Sequence, residues 1–164
     1  MGFGMRLRYT CRNQNASFEE QTGATFMDRD QLLASSDFVS LHIPLTSETA
    51  HYIGARELEL MPRHCILVNT ARGGVVDEAA LVRALRAGDI AGAGLDVFEH
   101  EPLAHDGLRD MPNVLLAPHN GTGTIESRVD MGRSCAAKIF AALDGNVPPD
   151  CLNPEAARNR KLCR

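Results

Sequence analysis

Apolar residues recur along this chain in two alternating rhythms. Short runs of strand character are separated by stretches with three-or-four spacing. Met5 to Thr10 (M-R-L-R-Y-T) alternates as a short strand. Residues 11–23 are polar and contain glycine, which predicts a loop with room for a short helical turn. A brief strand over Ala24 to Met27 follows, and Asp28 with Gln31 resembles a capping box opening a helix that buries Leu32 and Leu33. Phe38 to Ile43 reads as a mostly buried strand ended by Pro44. Thr46 to Met61 predicts one or two short helices, interrupted at Gly54 and stopped before Pro62.

The organising stretch is Cys65 to Glu78, C-I-L-V-N-T-A-R-G-G-V-V-D-E. A strand, Ile66 to Asn69, delivers a polar turn, and a helix then runs from Asp77 to Ala87 with Gly88 as its stop. Ala91 to Phe98 predicts a strand of small residues, and residues 99–112 a polar loop with two prolines. Val114 to Ala117 is the last strand. The longest helix covers about Thr124 to Leu143, with Ile125, Val129, Gly132, Ala136, Ile139/Phe140 and Leu143 on one spacing. Gly145 ends it, and Pro148-Pro149 open a tail. Strands alternating with helices predict an α/β fold around a mainly parallel sheet.

Composition narrows the class without naming a chemistry. The chain has 164 residues, 44% hydrophobic and 23% charged, with a formal net charge of −4. A mild acidic balance argues against a nucleic-acid or anionic-membrane partner. No apolar run reaches the roughly 18 residues needed to span a bilayer. The N-terminus M-G-F-G-M-R-L-R lacks the apolar core of a signal peptide. Five scattered cysteines (Cys11, Cys65, Cys135, Cys151, Cys163) without C-x-x-C spacing read as reduced thiols of a cytoplasmic protein, with no zinc site.

In an open α/β sheet, ligands bind beyond the carboxyl ends of the strands. Three such ends carry polar residues: Arg72 after one strand, Asp96 and Glu101 after another, and His119 after the last. Arg72 offers a planar fork for a carboxylate, beside Gly73-Gly74, which allow a tight turn or close ligand approach. Alone, it reads first as a surface or structural ion pair, and the glycines weigh against that. His119 alone reads as a structural histidine, and Glu101 as a solvated loop carboxylate. Paired, a carboxylate would orient the imidazole and raise its pKa, making a proton donor near neutral pH. Asp96 is open between a structural cap and a second orienting carboxylate.

N-T-A-R-G-G-V-V-D-E-A-A-L, A-G-L-D-V-F-E-H-E-P and A-P-H-N-G-T-G-T, in that order, resemble the D-isomer-specific 2-hydroxyacid dehydrogenase family, from Phe3 to about Pro154. The resemblance implies a Rossmann-like doubly wound parallel sheet, an NAD(P)-dependent oxidoreductase and a small 2-keto or 2-hydroxy acid as substrate. It implies that Arg72 anchors the substrate carboxylate, that His119 exchanges the proton and that Glu101 keeps His119 protonated. Glu at 101, where the formate dehydrogenase branch has Gln, fits 2-hydroxyacid chemistry. Pro44, Thr49, Thr70, Ala71, Arg72, Asp96, His119 and Gly121 are implied to lie along the dinucleotide, the alternatives being that Pro44 simply ends a strand and Thr49 caps a helix turn. Where the family commonly places Asp after its second strand, this chain has Thr10, followed by Arg12. An Asp there would bind the ribose 2′-hydroxyl and repel a 2′-phosphate, so the substitution implies NADP(H) over NAD(H), the alternative being a solvated Arg12. Y-T-C-R-N and N-V-P-P-D-C-L-N-P are nearest the 2-ketogluconate and glyoxylate/hydroxypyruvate reductase group.

The same resemblance sets two limits. The family's first strand, its glycine fingerprint and the following helix have no counterpart here. Gly2 and Gly4 match the helix end before its second strand. Residues 1–146 then read as an N-terminally truncated dinucleotide-binding domain, and 147–164 as a tail returning toward an absent substrate domain. The full-length parent is implied to be a homodimer. The truncation predicts an open gap between the Met5–Thr10 and Phe38–Ile43 strands. It leaves a second function class standing, a catalytically idle remnant or interaction module.

Overall fold

The computed structural model describes residues 3–155. Gly2 and Cys163, and the last nine residues of the expected tail, lie outside them. The chain divides into two compact units between Gly121 and Thr122.

Among the described residues the first unit holds all the strands, and every ladder is parallel. β1 (Arg8–Tyr9) pairs with β2 (Thr25–Phe26), with Arg8 opposite Thr25. A separate sheet runs β3 (Phe38–Leu41), β4 (Ile66–Asn69), β5 (Gly92–Leu95), β6 (Val114–Leu116) in spatial order. Phe38 pairs with Ile66 and Ile66 with Gly92, so the carboxyl ends of β3, β4 and β5 finish level. Among the described residues, β1 pairs only with β2 and β3 only with β4, which is the expected gap. Gly4, at φ +64°, has the left-handed backbone of a turn glycine.

Helices form where local caps support an apolar face. α2 (Arg29–Ala34) begins where the Asp28 carboxylate accepts from the N–H groups of Asp30 and Gln31. α3 (Ala55–Leu60) follows Gly54, whose N–H donates to the Glu57 carboxylate at 3.1 Å. α4 (Glu78–Ala87) is capped by Asp77, which accepts from Ala80 N–H at 2.8 Å, and stops at Gly88 with φ +71°. Leu33, Val39, Leu41, Leu58, Leu67, Leu81, Leu85 and Leu95 join in one core between these helices and one face of the larger sheet. At about 1.5–3 kcal/mol for each fully buried large aliphatic, that cluster is the main stabilising term.

Three expectations need correction. Residues 11–23 hold more than the short helical turn expected within a loop: α1 (Ala16–Thr22) forms there, capped by the Asn15 side chain and stopped by Gly23 at φ +70°. It buries none of its residues, so no apolar periodicity announced it. The loop 99–112 contains a short helix, α5 (Asp106–Arg109), which anchors Leu108 in the core. β3 is half-buried rather than mostly buried: Val39 and Leu41 point into the core, while Phe38 is 59% exposed. Within this unit only one face of the strand is covered.

The second unit contains α6 (Ile125–Leu143), capped by Thr124 and tied to the tail by a Lys138–Asp150 ion pair. Its apolar spacing is as expected, yet none of its residues is buried. Among the described residues no helix is long and apolar enough to cross a membrane.

Candidate active site

β4 ends in Asn69, 1% exposed, whose side chain builds the next turn. Its Oδ1 accepts from Ala71 N–H at 3.1 Å, and its Nδ2 donates to Arg72 O at 3.0 Å. This Asx-type closure holds Thr70-Ala71-Arg72 at the strand's carboxyl end. Asn69 was not singled out from sequence, although an Asn at a strand end before a polar turn is the signal. Arg72 is exposed, and its guanidinium donates to Ala71 O. Among the described residues no carboxylate forms an ion pair with it, which disfavours the surface ion-pair alternative.

The following glycine has a different use from the one expected. A Cβ on Gly73 would stand 1.8 Å from Phe98 C and 2.0 Å from Phe98 O. The close approach there is protein backbone to protein backbone, and it seats the Arg72 turn directly on the loop that carries Glu101.

Glu101 and His119 meet across that loop, Oε2 to Nδ1 at 2.8 Å. Phe98 N–H donates to the other Glu101 oxygen at 3.2 Å. The His119 hydrogen bond first, then that backbone N–H, with a smaller contribution from the Arg72 charge, hold the Glu101 carboxyl below the usual carboxylate range. His119 sits at φ +51°, a conformation uncommon outside glycine. Asp96 fixes it there: its two oxygens accept from Asn120 and Gly121 N–H, each at 3.1 Å. Of the two alternatives for Asp96, its contacts are those of a cap on the His119 turn. His119 Nε2 makes no hydrogen bond among the described residues.

A cleft of about 670 Å³ opens beyond β3 and β4, between His42–Leu45 and Thr70–Arg72. Pro44, Thr70, Ala71 and Arg72 therefore line one cleft. Thr49 lies behind the Pro44 loop, donating its hydroxyl to Pro44 O at 2.6 Å and accepting from Thr46 N–H at 2.8 Å. Glu101 and His119 do not line the cleft, although the Arg72 charge reaches Glu101. Thr10 and Arg12 stand at the carboxyl end of β1. The loop beyond them is held by Tyr9, whose hydroxyl donates to Glu19 at 2.9 Å and accepts from Asn15 N–H at 2.7 Å.

This geometry has counterparts. Residues 1–121 match the family model described as "D-isomer specific 2-hydroxyacid dehydrogenase, NAD binding domain". A glyoxylate reductase of Thermococcus litoralis is 49% identical over 154 residues, covering 94% of this chain and 46% of that protein. The crystal structure of a glyoxylate reductase from Paecilomyes thermophila superposes with a TM-score of 0.83 at 41% identity, over 90% of this chain and 45% of that one. The NAD-complexed D-isomer specific 2-hydroxyacid dehydrogenase of Lactobacillus delbrueckii ssp. bulgaricus gives 0.78 at 34% identity, over 89% and 48%. The chain spans about half the length of the curated relatives it matches.

Proposed function

The chain belongs to the D-isomer specific 2-hydroxyacid dehydrogenase family, within its NAD-binding domain, and from that premise we propose that its site reduces a small 2-keto acid of the glyoxylate or hydroxypyruvate kind to the corresponding 2-hydroxy acid, of D configuration where that carbon is chiral. The observation that carries this is the 2.8 Å Glu101–His119 pair, with the charge of Arg72, which has no ion-pair partner among the described residues, acting on Glu101. Arg72 binds the substrate carboxylate through its two-pronged guanidinium, setting the keto carbon at a fixed distance from the cation. His119 donates a proton from Nε2 to the keto oxygen as that carbon is reduced, and takes it back in the reverse direction. Glu101 on Nδ1 orients the ring and leaves Nε2 to face the keto oxygen.

The residues present fit the nicotinamide end of a dinucleotide. The cleft lies at the carboxyl ends of β3 and β4, walled by Pro44 with Thr49 behind it and by Thr70 and Ala71, with the Asp96-capped Gly121 turn beyond β6. A bound nicotinamide would supply the hydride, which no side chain can. No G-x-G-x-x-G occurs in these 164 residues, so no pyrophosphate contact is assigned. At the adenosine end, Thr10 and exposed Arg12 support NADP(H) over NAD(H), because a cation replaces the carboxylate that would repel a 2′-phosphate. The exposed apolar side chains of α6, among them Ile125, Phe140 and Leu143, support a homodimer. The scattered free thiols support a reducing, cytoplasmic compartment.

The test is direct. The 164-residue protein is titrated with NADPH and NADH by fluorescence quenching, then assayed with glyoxylate and hydroxypyruvate. Tighter NADPH binding and turnover of either keto acid are expected. NADH binding as tight as NADPH overturns the cofactor preference. A folded chain that binds neither dinucleotide and turns nothing over is the idle remnant instead.

A further inference from the structure

A second histidine–carboxylate pair lies two residues upstream of Glu101 and has no place in the chemistry above. His51 Nε2 meets Glu99 Oε1 at 2.5 Å. The other Glu99 oxygen accepts from Glu78 N–H, the first residue of α4, at 3.2 Å. Glu78, 4% exposed, returns the bond: its Oε1 accepts from Glu99 N–H at 2.9 Å. Two acidic side chains thus each hold the other's backbone, and His51 supplies the positive partner.

The same histidine is tied to the Arg72 turn by its own backbone. His51 N–H donates to Gly74 O at 2.8 Å, Ile53 N–H to Val75 O at 3.1 Å, and Asp77 N–H to Ile53 O at 3.0 Å. His51 holds φ +51°, which a non-glycine residue adopts only when its surroundings favour it. Burial opposes its charged form, but the Glu99 hydrogen bond, with the Glu99 and Asp77 charges, outweighs that and raises its pKa. Three segments are therefore laced together: the loop before Ile53, the turn after Arg72 and the loop before Glu101.

Resting on the function proposed above, we infer that Glu99 is a positioning residue: bridging His51 and the N-terminus of α4, its carboxylate holds the Arg72 turn and the Glu101–His119 pair at one spacing. Arg72 lies one residue before Gly73, which is pressed on Phe98, and Glu101 lies two residues beyond Glu99. Any slack between the turn and the loop moves the carboxylate anchor against the proton donor. Misplacement of that kind lowers turnover more than binding.

The decisive readout does not need turnover. Glutamate carboxyl carbons of the whole chain are followed by NMR through an acid titration, with Glu101→Gln used to assign Glu101. In Glu99→Gln the Glu101 midpoint is expected to move up toward the ordinary carboxylate range, because its hold on His119 loosens. His51→Asn is expected to move it the same way: Asn tolerates the left-handed backbone but is too short to reach Glu99. Leu33→Ala, which weakens the core away from these loops, is expected to lower Tm and leave the Glu101 midpoint in place. If Glu99→Gln fails to fold, His51→Asn decides by the same criterion. The inference is overturned if the midpoint stays at its original value in the folded variants, or if Leu33→Ala moves it equally. Where the original chain reduces keto acids, Glu99→Gln should lose kcat more than it gains KM. An inactive original chain would sink the function proposed above while leaving the Glu101 readout to judge this one.

Discussion

Gly73 and Gly74 are adjacent, neither carries a positive φ, and their substitution by alanine should have very different consequences. A Cβ on Gly73 would lie 1.8 Å from Phe98 C, 2.0 Å from Phe98 O and 2.4 Å from Glu99 N, all backbone atoms of the loop leading to Glu101. None can rotate away, so the turn and the loop must separate. A Cβ on Gly74 meets only the Leu45 side-chain tip, nearest at 3.2 Å, which can shift by a few tenths of an ångström. Overpacking typically costs about 1–3 kcal/mol, and a backbone clash belongs at or above the upper end. Both substitutions gain about 0.4–1 kcal/mol from a less flexible unfolded chain, so the contrast survives. With about 2–4 °C of Tm for each kcal/mol in a chain of this size, a net loss of about 2–2.6 kcal/mol should make Gly73→Ala melt roughly 4–10 °C lower. Gly74→Ala should stay within about 3 °C of the original. Thermal unfolding by circular dichroism, checked by urea midpoints, measures both. Equal melting temperatures, or a larger loss in Gly74→Ala, would refute the claim that the Arg72 turn is seated on the Phe98 backbone.

Four further outcomes follow from the same contacts. Arg72→Lys keeps the charge but loses the two-pronged geometry, so KM for glyoxylate should rise about tenfold or more while the Kd for NADPH stays unchanged; an unchanged KM removes Arg72 as the carboxylate anchor. Because Glu101 has a pKa below its ordinary 4.5, its ionised form stabilises the fold above that value, and the contribution is lost as pH falls through the lowered one. The urea-midpoint difference between the original and Glu101→Gln should therefore be constant above about pH 5.5 and shrink below pH 4.5, and a pH-independent difference would contradict the pairing. Cys65 is 0% exposed, and burial with the Asp37 charge pushes its thiol up to about 11, so iodoacetamide at pH 8 should label Cys11 and Cys135 but reach Cys65 only in urea. The open edges of β1 and β3 and the bare apolar residues of α6 should make the chain associate; a monodisperse monomer in sedimentation velocity would argue against it.

What could be read from sequence was what short-range chemistry decides. Asp77 and Gly88 bracket α4 because a cap and a left-handed stop are local requirements, and both residues do that work. Arg72, Glu101 and His119 could be singled out because each follows a strand, and parallel strands bring their carboxyl ends level. α1 escaped because a helix without a buried face has no apolar rhythm, only the caps Asn15 and Gly23. The burial of β3 was misjudged because a hydrophobic run cannot say which of its faces is covered. The packing of Gly73 on Phe98 and the reach of His51 to Glu99 span 25 and 48 residues, and no local pattern encodes either.

Those long-range contacts also explain how three carboxylates share residues 96–101 with separate duties. Each accepts from different donors: Asp96 from the Asn120 and Gly121 amides, Glu99 from His51 and the Glu78 amide, Glu101 from His119 and the Phe98 amide. Two of them hold a histidine, so a histidine–glutamate pair alone does not identify a proton donor. The surrounding charge does. His51 is faced by the Glu99 and Asp77 carboxylates, and its backbone is tied down at Gly74, which suits a brace. Glu101 feels the Arg72 cation, and His119 keeps one ring nitrogen free of protein partners among the described residues. On the function proposed above, an anionic keto acid would be drawn to Arg72, whereas near His51 it would meet two carboxylates first. That contrast in neighbouring charge supports His119 over His51 as the proton donor of the proposed function.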